Sequence, residues 1–243
     1  MAETAGARPF AGQLALVTGA SRGIGAATAE ALAAAGAHVI LTGRDTKALE
    51  AVEERIFAAG GSATIAPVDL AETDGIARLA TAIRSRWDSL DILVISAAVL
   101  PQLCSVVDID QPSWNKALTV NLLATQSLLA HFTSLLKRSA DARVIGLTSS
   151  QATKPRAYWG AYASTKAAFE ALLDCYAQEI RNTTKIRVAI LNPGATRTAM
   201  RARAYPGEDP ATVKPPENVA ARIVVLLGEQ FGSPHREAVN LKL

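Results

Sequence analysis

Leu14-Ala15-Leu16-Val17-Thr18-Gly19-Ala20-Ser21-Arg22-Gly23-Ile24-Gly25 is the stretch from which the rest of the chain is read. An apolar run runs straight into three glycines within seven residues, and an Ala-rich segment of helical period follows. A strand that is apolar at every position is buried on both faces, as in a parallel sheet. Glycines at the exit of such a strand allow a tight turn. They also bring backbone N–H groups and a helix N-terminus against an anionic group such as a pyrophosphate. The spacing here is Gly-x3-Gly-x-Gly. Its position between a first strand and a first helix makes a nucleotide site the better reading than a plain connecting loop.

Outward from this stretch, the pattern repeats. Short aliphatic runs at 13–18, 38–42, 63–68, 92–97, 143–148 and 186–191 read as strands, with a short final strand at 238–241. Helical periodicity fills 23–35, 46–59, 73–87, 111–138 and 157–182, and a further helix is expected over 216–227. Gly36 closes the first helix, Gly60-Gly61 the second, and Pro112 suits a helix's first turn. Strict alternation implies right-handed βαβ units, so the expected fold class is α/β, one doubly wound domain over 1–243 with helices on both sheet faces. In such sheets a ligand binds at the carboxyl ends of the strands where their order reverses. Residues 1–10 are expected to be flexible, and the Arg- and Pro-rich residues 195–215 to form a substrate lid.

Composition excludes several classes. The 243 residues are 49% hydrophobic and 19% charged, enough for a large core and too apolar for disorder. The net charge of +3 is scattered rather than clustered, which argues against nucleic-acid and membrane partners. No apolar run approaches the ~20 residues of a membrane helix, and no signal core opens the chain, so a cytoplasmic location is expected. Cys104 and Cys175 read as reduced core thiols; His38, His131 and His235 lack metal-ligand spacing, so no metal is expected.

The tip of the second strand selects among nicotinamide cofactors. An acid there bonds the adenosine ribose in NAD sites; here Gly43 and Arg44 occupy the tip, and Arg22 lies in the glycine loop. Two guanidiniums suit a 2′-phosphate, so NADP(H) is favoured over NAD(H). Asp45 reads as the N-cap of the next helix. Asp69 is placed to accept the adenine amino group, although its position equally suits a helix-start carboxylate.

Tyr162 and Lys166 share one helix face a turn apart, and Ser149 ends the fifth strand. Free tyrosine has a pKa of about 10; a neighbouring ammonium and an oxidised nicotinamide are expected to lower it. Tyr162 then exchanges a proton with a carbonyl or alcohol oxygen that Ser149 also bonds.

The glycine loop, Asp69, Asn121, Ser149, Tyr162, Lys166 and Asn192-Pro193-Gly194 together resemble the short-chain dehydrogenase/reductase family, in order and spacing over 14–241. The resemblance implies a seven-stranded Rossmann-like fold and a catalytic tetrad. In it Tyr162 is the acid/base, Ser149 positions substrate, Lys166 holds the nicotinamide ribose and tunes the tyrosine, and Asn121 anchors a relay water. It also implies cofactor contacts from Gly19, Ser21, Arg22, Gly23, Ile24, Gly25, Arg44, Asp69, Leu70, Ser96, Ala97, Tyr162, Lys166, Pro193, Gly194, Thr196 and Thr198. The long helices are those that pair in the family, implying a homodimer or homotetramer.

One departure stands out: where the family shows Asn-Ala-Gly, this chain has Ser96-Ala97-Ala98. Serine replaces some of the asparagine's hydrogen bonds, but the Ala98 methyl either loosens cofactor binding or shifts the loop. The run Asn192–Arg201 resembles that of a bacterial, NADP-preferring branch whose substrate is generally unassigned. Val99, Leu100, Tyr158, Trp159, Met200 and Tyr205 are expected around the nicotinamide, giving a partly apolar pocket for a small-molecule carbonyl or alcohol. Arg197, Arg201 and Arg203 leave open an anionic substrate such as an acyl-carrier 3-oxoacyl thioester, against the favoured readings of solvated lid charges or partners of the cofactor phosphates. A non-catalytic NADP(H)-sensing protein is the alternative of another class, but sensing alone does not require the full Ser-Tyr-Lys-Asn set.

Overall fold

The computed structural model describes residues 8–239. Seven parallel strands form one sheet in the order β3-β2-β1-β4-β5-β6-β7. They are β1 (Leu14–Thr18), β2 (His38–Gly43), β3 (Ser62–Pro67), β4 (Ile92–Ile95), β5 (Arg143–Leu147), β6 (Arg187–Asn192) and β7 (His235–Ala238). β1 and β5 are buried at every position, which explains their uninterrupted apolar sequences. The chain winds outward from β1 to β3, then returns to β4 beside β1, so the order reverses between β1 and β4. A crevice at that end of the sheet is the geometric consequence.

Helices cover both faces. α1 (Gly23–Ala34), α2 (Thr46–Ala58) and α8 (Pro216–Gly228) pack on one side, burying Leu32, Leu49, Val52 and Ile223. α3 (Gly75–Arg84), α5 (Ala124–Leu136) and α6 (Gly160–Ile180) pack on the other, around Phe132, Phe169 and Leu173. Each face is thus a separate apolar layer, with the all-buried strands between them. Truncating a fully buried side chain such as Phe132 would cost about 3–5 kcal/mol through lost transfer energy and the cavity left behind.

Several boundaries differ from expectation, each for a local reason. β4 stops at Ile95 because the N–H groups of Ser96 and Ala97 turn to the Thr18 hydroxyl, at 3.0 and 3.1 Å. The expected 111–138 helix is α4 (Gln111–Leu118), a π-helical turn over Thr119–Leu123, and α5. β7 lies three residues before the expected 238–241, whose residues 240–241 fall outside the described range. As an edge strand it alternates between half-buried and exposed residues, so its polar sequence drew the expected position towards the apolar residues that follow. Within the expected flexible N-terminus, Phe10 is buried and its N–H bonds the Ala35 carbonyl at 3.0 Å; residues 1–7 lie outside the described range. The cysteines are not core residues: Cys104 is half-buried and Cys175 exposed on the outer side of α6, both as free thiols. Among the described residues no helix is long and apolar enough to cross a membrane.

Candidate active site

The crevice at the β1–β4 switch has a volume of about 870 Å³. One wall is the β1–α1 loop, where Gly19, Ser21, Arg22, Gly23, Ile24 and Gly25 all line the opening. The glycines are required by close approach. A Cβ on Gly25 would lie 2.2 Å from the Gly19 carbonyl oxygen, and one on Gly19 2.9 Å from the Ala97 Cα. Gly19 also has a φ of +68°, a conformation that side chains disfavour. α1 enters without an N-cap: the Arg22 side chain makes no capping bond and no acid occupies the first turn. By contrast, α2 is capped by Asp45, which accepts from Ala48 N at 3.1 Å, as its sequence position implied. An uncapped, acid-free helix start facing a crevice leaves N–H donors and a positive dipole end for an anion.

At the outer end, Arg44 and Asp69 face each other at 3.9 Å, and Arg22 and Asp45 at 4.0 Å. Both pairs are largely exposed and long, so they hold the guanidiniums weakly. Two cations lining this end of the crevice fit a phosphorylated ribose better than a bare one. Asp69 Oδ1 accepts from Ala71 N at 3.0 Å, closing a turn rather than starting a helix, since α3 begins only at Gly75 after Asp74, and the Asp69 side chain lines the crevice beside Leu70. Ser96 and Ala97 line the floor with Ala98, so the altered tripeptide faces the opening directly. Thr18 was missed by the sequence analysis. It is fully buried, clamps this loop through the two bonds above and donates to the Val94 carbonyl at 3.3 Å.

Tyr162 and Lys166 emerge from α6 into the inner end. Burial pushes the Tyr162 phenol up to about 12, opposed by a hydrogen bond with Ser149. Burial also pushes the Lys166 ammonium down to about 8, opposed by the charge of Glu170. The expected lowering of the phenol is therefore reversed in the protein alone. The Lys166 Nζ donates to the Leu147 carbonyl at 2.8 Å, and desolvation of the phenolate outweighs the Ser149 bond. Ser149 does not itself line the crevice; its Oγ also accepts from Gln151 N at 3.2 Å, starting the short turn Ser150–Ala152. Asn121 is withdrawn too. Its Oδ1 accepts from Val99 N at 2.8 Å, and its Nδ2 donates to the Val99 carbonyl and Thr165 Oγ1, both at 3.0 Å. With every polar atom engaged, it is a strut between the loop after β4 and α6, and the π turn is the local distortion that carries it.

The segment after β6 closes the crevice. Pro193 and Thr198 line it, whereas Gly194 and Thr196 do not. The Thr196 hydroxyl turns inward to the Pro193 and Gly194 carbonyls at 3.2 and 3.3 Å. Residues 195–215 contain α7 (Ala199–Ala204). The three arginines there divide: Arg201 pairs with Glu208 at 2.5 Å and stacks over Tyr205, whereas Arg197 and Arg203 line the crevice. Arg203 bonds the Leu100 carbonyl, tying α7 to the loop after β4. Val99, Leu100 and Met200 supply an apolar wall. Tyr158, Trp159 and Tyr205 do not line it: Tyr158 is exposed, and Trp159 stands edge-on to Tyr162 at 5.9 Å and tilted against Tyr205 at 5.8 Å. No cluster of His, Cys, Asp and Glu able to hold a metal occurs among the described residues.

The family model for short chain dehydrogenase matches residues 13–209, which span both the glycine loop and the Tyr162–Lys166 pair. The chain belongs to that family. It is similar to the uncharacterized oxidoreductase YciK of Escherichia coli K12, 35% identical over 217 residues that cover 88% of this chain and 85% of the relative. Among solved structures, a short chain dehydrogenase of Shigella flexneri complexed with NADP superposes with a TM-score of 0.91 at 32% identity, covering 96% of this chain and 98% of the other. One from Escherichia coli CFT073 complexed with NADPH gives 0.89 at 33% identity, over 95% and 99% of the two chains. As a short-chain dehydrogenase, this protein carries the family's doubly wound sheet nearly end to end.

Proposed function

We propose that this short-chain dehydrogenase is an NADP(H)-dependent oxidoreductase that interconverts a carbonyl and a secondary alcohol. The observation that carries the reading is the sharing of one crevice by the uncapped start of α1 and the Tyr162–Lys166 pair. Support for the cofactor comes from the glycine loop, from Arg22 and Arg44 at the outer end, and from relatives solved with NADP and NADPH. The residues that would hold it are the α1 entry for the pyrophosphate, Arg22 and Arg44 for the 2′-phosphate, and Lys166, Pro193 and Thr198 at the inner end. When bound, NADPH supplies the hydride that the chain's own side chains cannot.

The remaining work falls to named groups. Tyr162, with its phenol near 12, is protonated at neutral pH and donates that proton to the substrate oxygen in the reducing direction. The phenolate left behind is stabilised by the Ser149 hydroxyl and the Lys166 ammonium. Asn121 holds the loop after β4 against α6, fixing the distance between crevice floor and acid/base. Val99, Leu100 and Met200 exclude water from the reacting carbon and favour an apolar substituent on it. Tyr162→Phe removes only the hydroxyl. It is expected to retain NADPH binding, read by fluorescence titration, and to lose turnover of a carbonyl panel by ~10²-fold or more. Unchanged turnover in this variant would remove Tyr162 from the chemistry, and a wild type inactive on every carbonyl would favour the sensing alternative.

A further inference from the structure

A buried carboxylate stands behind this machinery and takes part in none of the steps above. Glu170 follows Lys166 by one turn of α6 and is 7% exposed. Its Oε1 accepts from the Thr148 hydroxyl at 2.6 Å, and its Oε2 from Arg236 Nη1 at 2.5 Å. Thr148 immediately precedes Ser149, and Arg236 lies on β7, where it also pairs with Asp174. Lys166 is 3% exposed and donates to a neutral carbonyl, so its hydrogen bond brings no countercharge. A buried ammonium without a nearby anion tends to shed its proton.

We propose that Glu170 is a positioning residue for the Tyr162–Lys166 pair: it keeps the buried ammonium charged and, through Thr148, fixes the strand end that carries Ser149. The surroundings leave no other candidate for the charge among the described residues near the pair. On α6 itself, Tyr162 is protonated and Asp174 lies one turn farther away. β5 presents the neutral Leu147 and Thr148, and the π turn presents the neutral Asn121. The segment after β6 adds only cations, Arg197 and Arg203, across the crevice. Arg236 meets the row at Glu170, whose Oε2 it bonds, and its positive charge works against that of the ammonium. The assembly is therefore a graded row in which Arg236 moderates how strongly Glu170 holds the proton on Lys166.

Two substitutions move Lys166 in opposite directions. Glu170→Gln keeps an oxygen for Thr148 but removes the charge, so the ammonium, already down to about 8, deprotonates at still lower pH. Arg236→Met removes the moderating cation, so the ammonium persists to higher pH. The readout is a pH titration by NMR of protein carrying ¹³C at lysine Cε, with the Lys166 signal assigned by its loss in Lys166→Met. The expected midpoint falls by about one unit in Glu170→Gln and rises in Arg236→Met. The alkaline limb of turnover on a carbonyl substrate follows the same two directions. A Glu170→Gln midpoint equal to wild type overturns the assignment, even if the variant melts at lower temperature, because lost stability without a moved titration is a packing effect and not the loss of a countercharge. Should that variant fail to fold, Arg236→Met decides alone, and an unmoved or lowered midpoint there overturns it. The kinetic arm rests on the function proposed above. If wild type turns over no carbonyl while the midpoints still move, that function fails and the role of Glu170 stands.

Discussion

The phenol of Tyr162 and the ammonium of Lys166 are displaced in opposite directions by one cause, removal from water, since each shift favours the uncharged form. At neutral pH this leaves a protonated donor beside a cation that is close to its titration point, an arrangement suited to delivering a proton and then stabilising the anion that remains. The sign could not be read from the sequence. A Tyr-x3-Lys pair predicts attraction between phenolate and ammonium, but burial is a property of everything packed around α6. At the glycine loop, by contrast, residue type and geometry agree, because a contact between backbone atoms leaves no flexible group to yield. Gly25→Ala would place a methyl 2.2 Å from the Gly19 carbonyl oxygen. Overpacking of that kind is expected to destabilise the fold by about 1–3 kcal/mol. It is also expected to weaken NADPH binding, with thermal melting and fluorescence titration as the measurements. A variant that binds cofactor as wild type does would show that the loop relaxes.

Among the elements, the π turn at Thr119–Leu123 and the segment after β6 are where tertiary partners matter most. The apolar stripe of 111–138 predicts an unbroken helix, and nothing in that stripe marks the inserted residue. The distortion is visible only with Val99 and Thr165 in place as partners for Asn121. Residues 195–215 were legible as an irregular insertion, but not how it is fastened. Its base is stapled by Lys214, a buried side chain whose Nζ donates to the Ala195 carbonyl at 2.8 Å, while the Lys214 carbonyl accepts from Arg197 N at 2.8 Å. Lys214→Met keeps the aliphatic stem and removes the staple. Trypsin is expected to cut at Arg201 or Arg203 faster than in wild type, with product bands followed by mass spectrometry. An unaltered cleavage rate would assign the fastening to the Arg203–Leu100 bond instead.

Across the whole molecule, the end of the sheet opposite the crevice is held by charge rather than chemistry. Asp141 joins Arg143 at the start of β5 to Arg187 at the start of β6. The hydrogen bond from Arg143, with Arg187 adding to it, holds the Asp141 carboxyl below its ordinary 3.8 despite partial burial. A carboxyl lowered in the folded state contributes stability that is present above 3.8 and lost as pH falls through the lower folded value. Asp141→Asn is expected to melt at a lower temperature than wild type at pH 7, and the gap should narrow as pH drops below 3.8. The carboxylate is half exposed, so solvent screening keeps the effect modest. A gap independent of pH would assign the loss to shape rather than charge.

Alternation of apolar runs with helical periods, and glycines at a strand exit, were enough to specify the parallel sheet, the crevice and its glycine wall, because these follow from local periodicity and backbone sterics. Much of the remaining lining was legible only through the family resemblance. The polar edge strand β7, the inward turn of Thr196, the strut made by Asn121 and the carboxylate behind Lys166 were settled only in three dimensions. Each depends on which distant segment removes a polar group from water or offers it a partner, and spacing along the chain does not encode that.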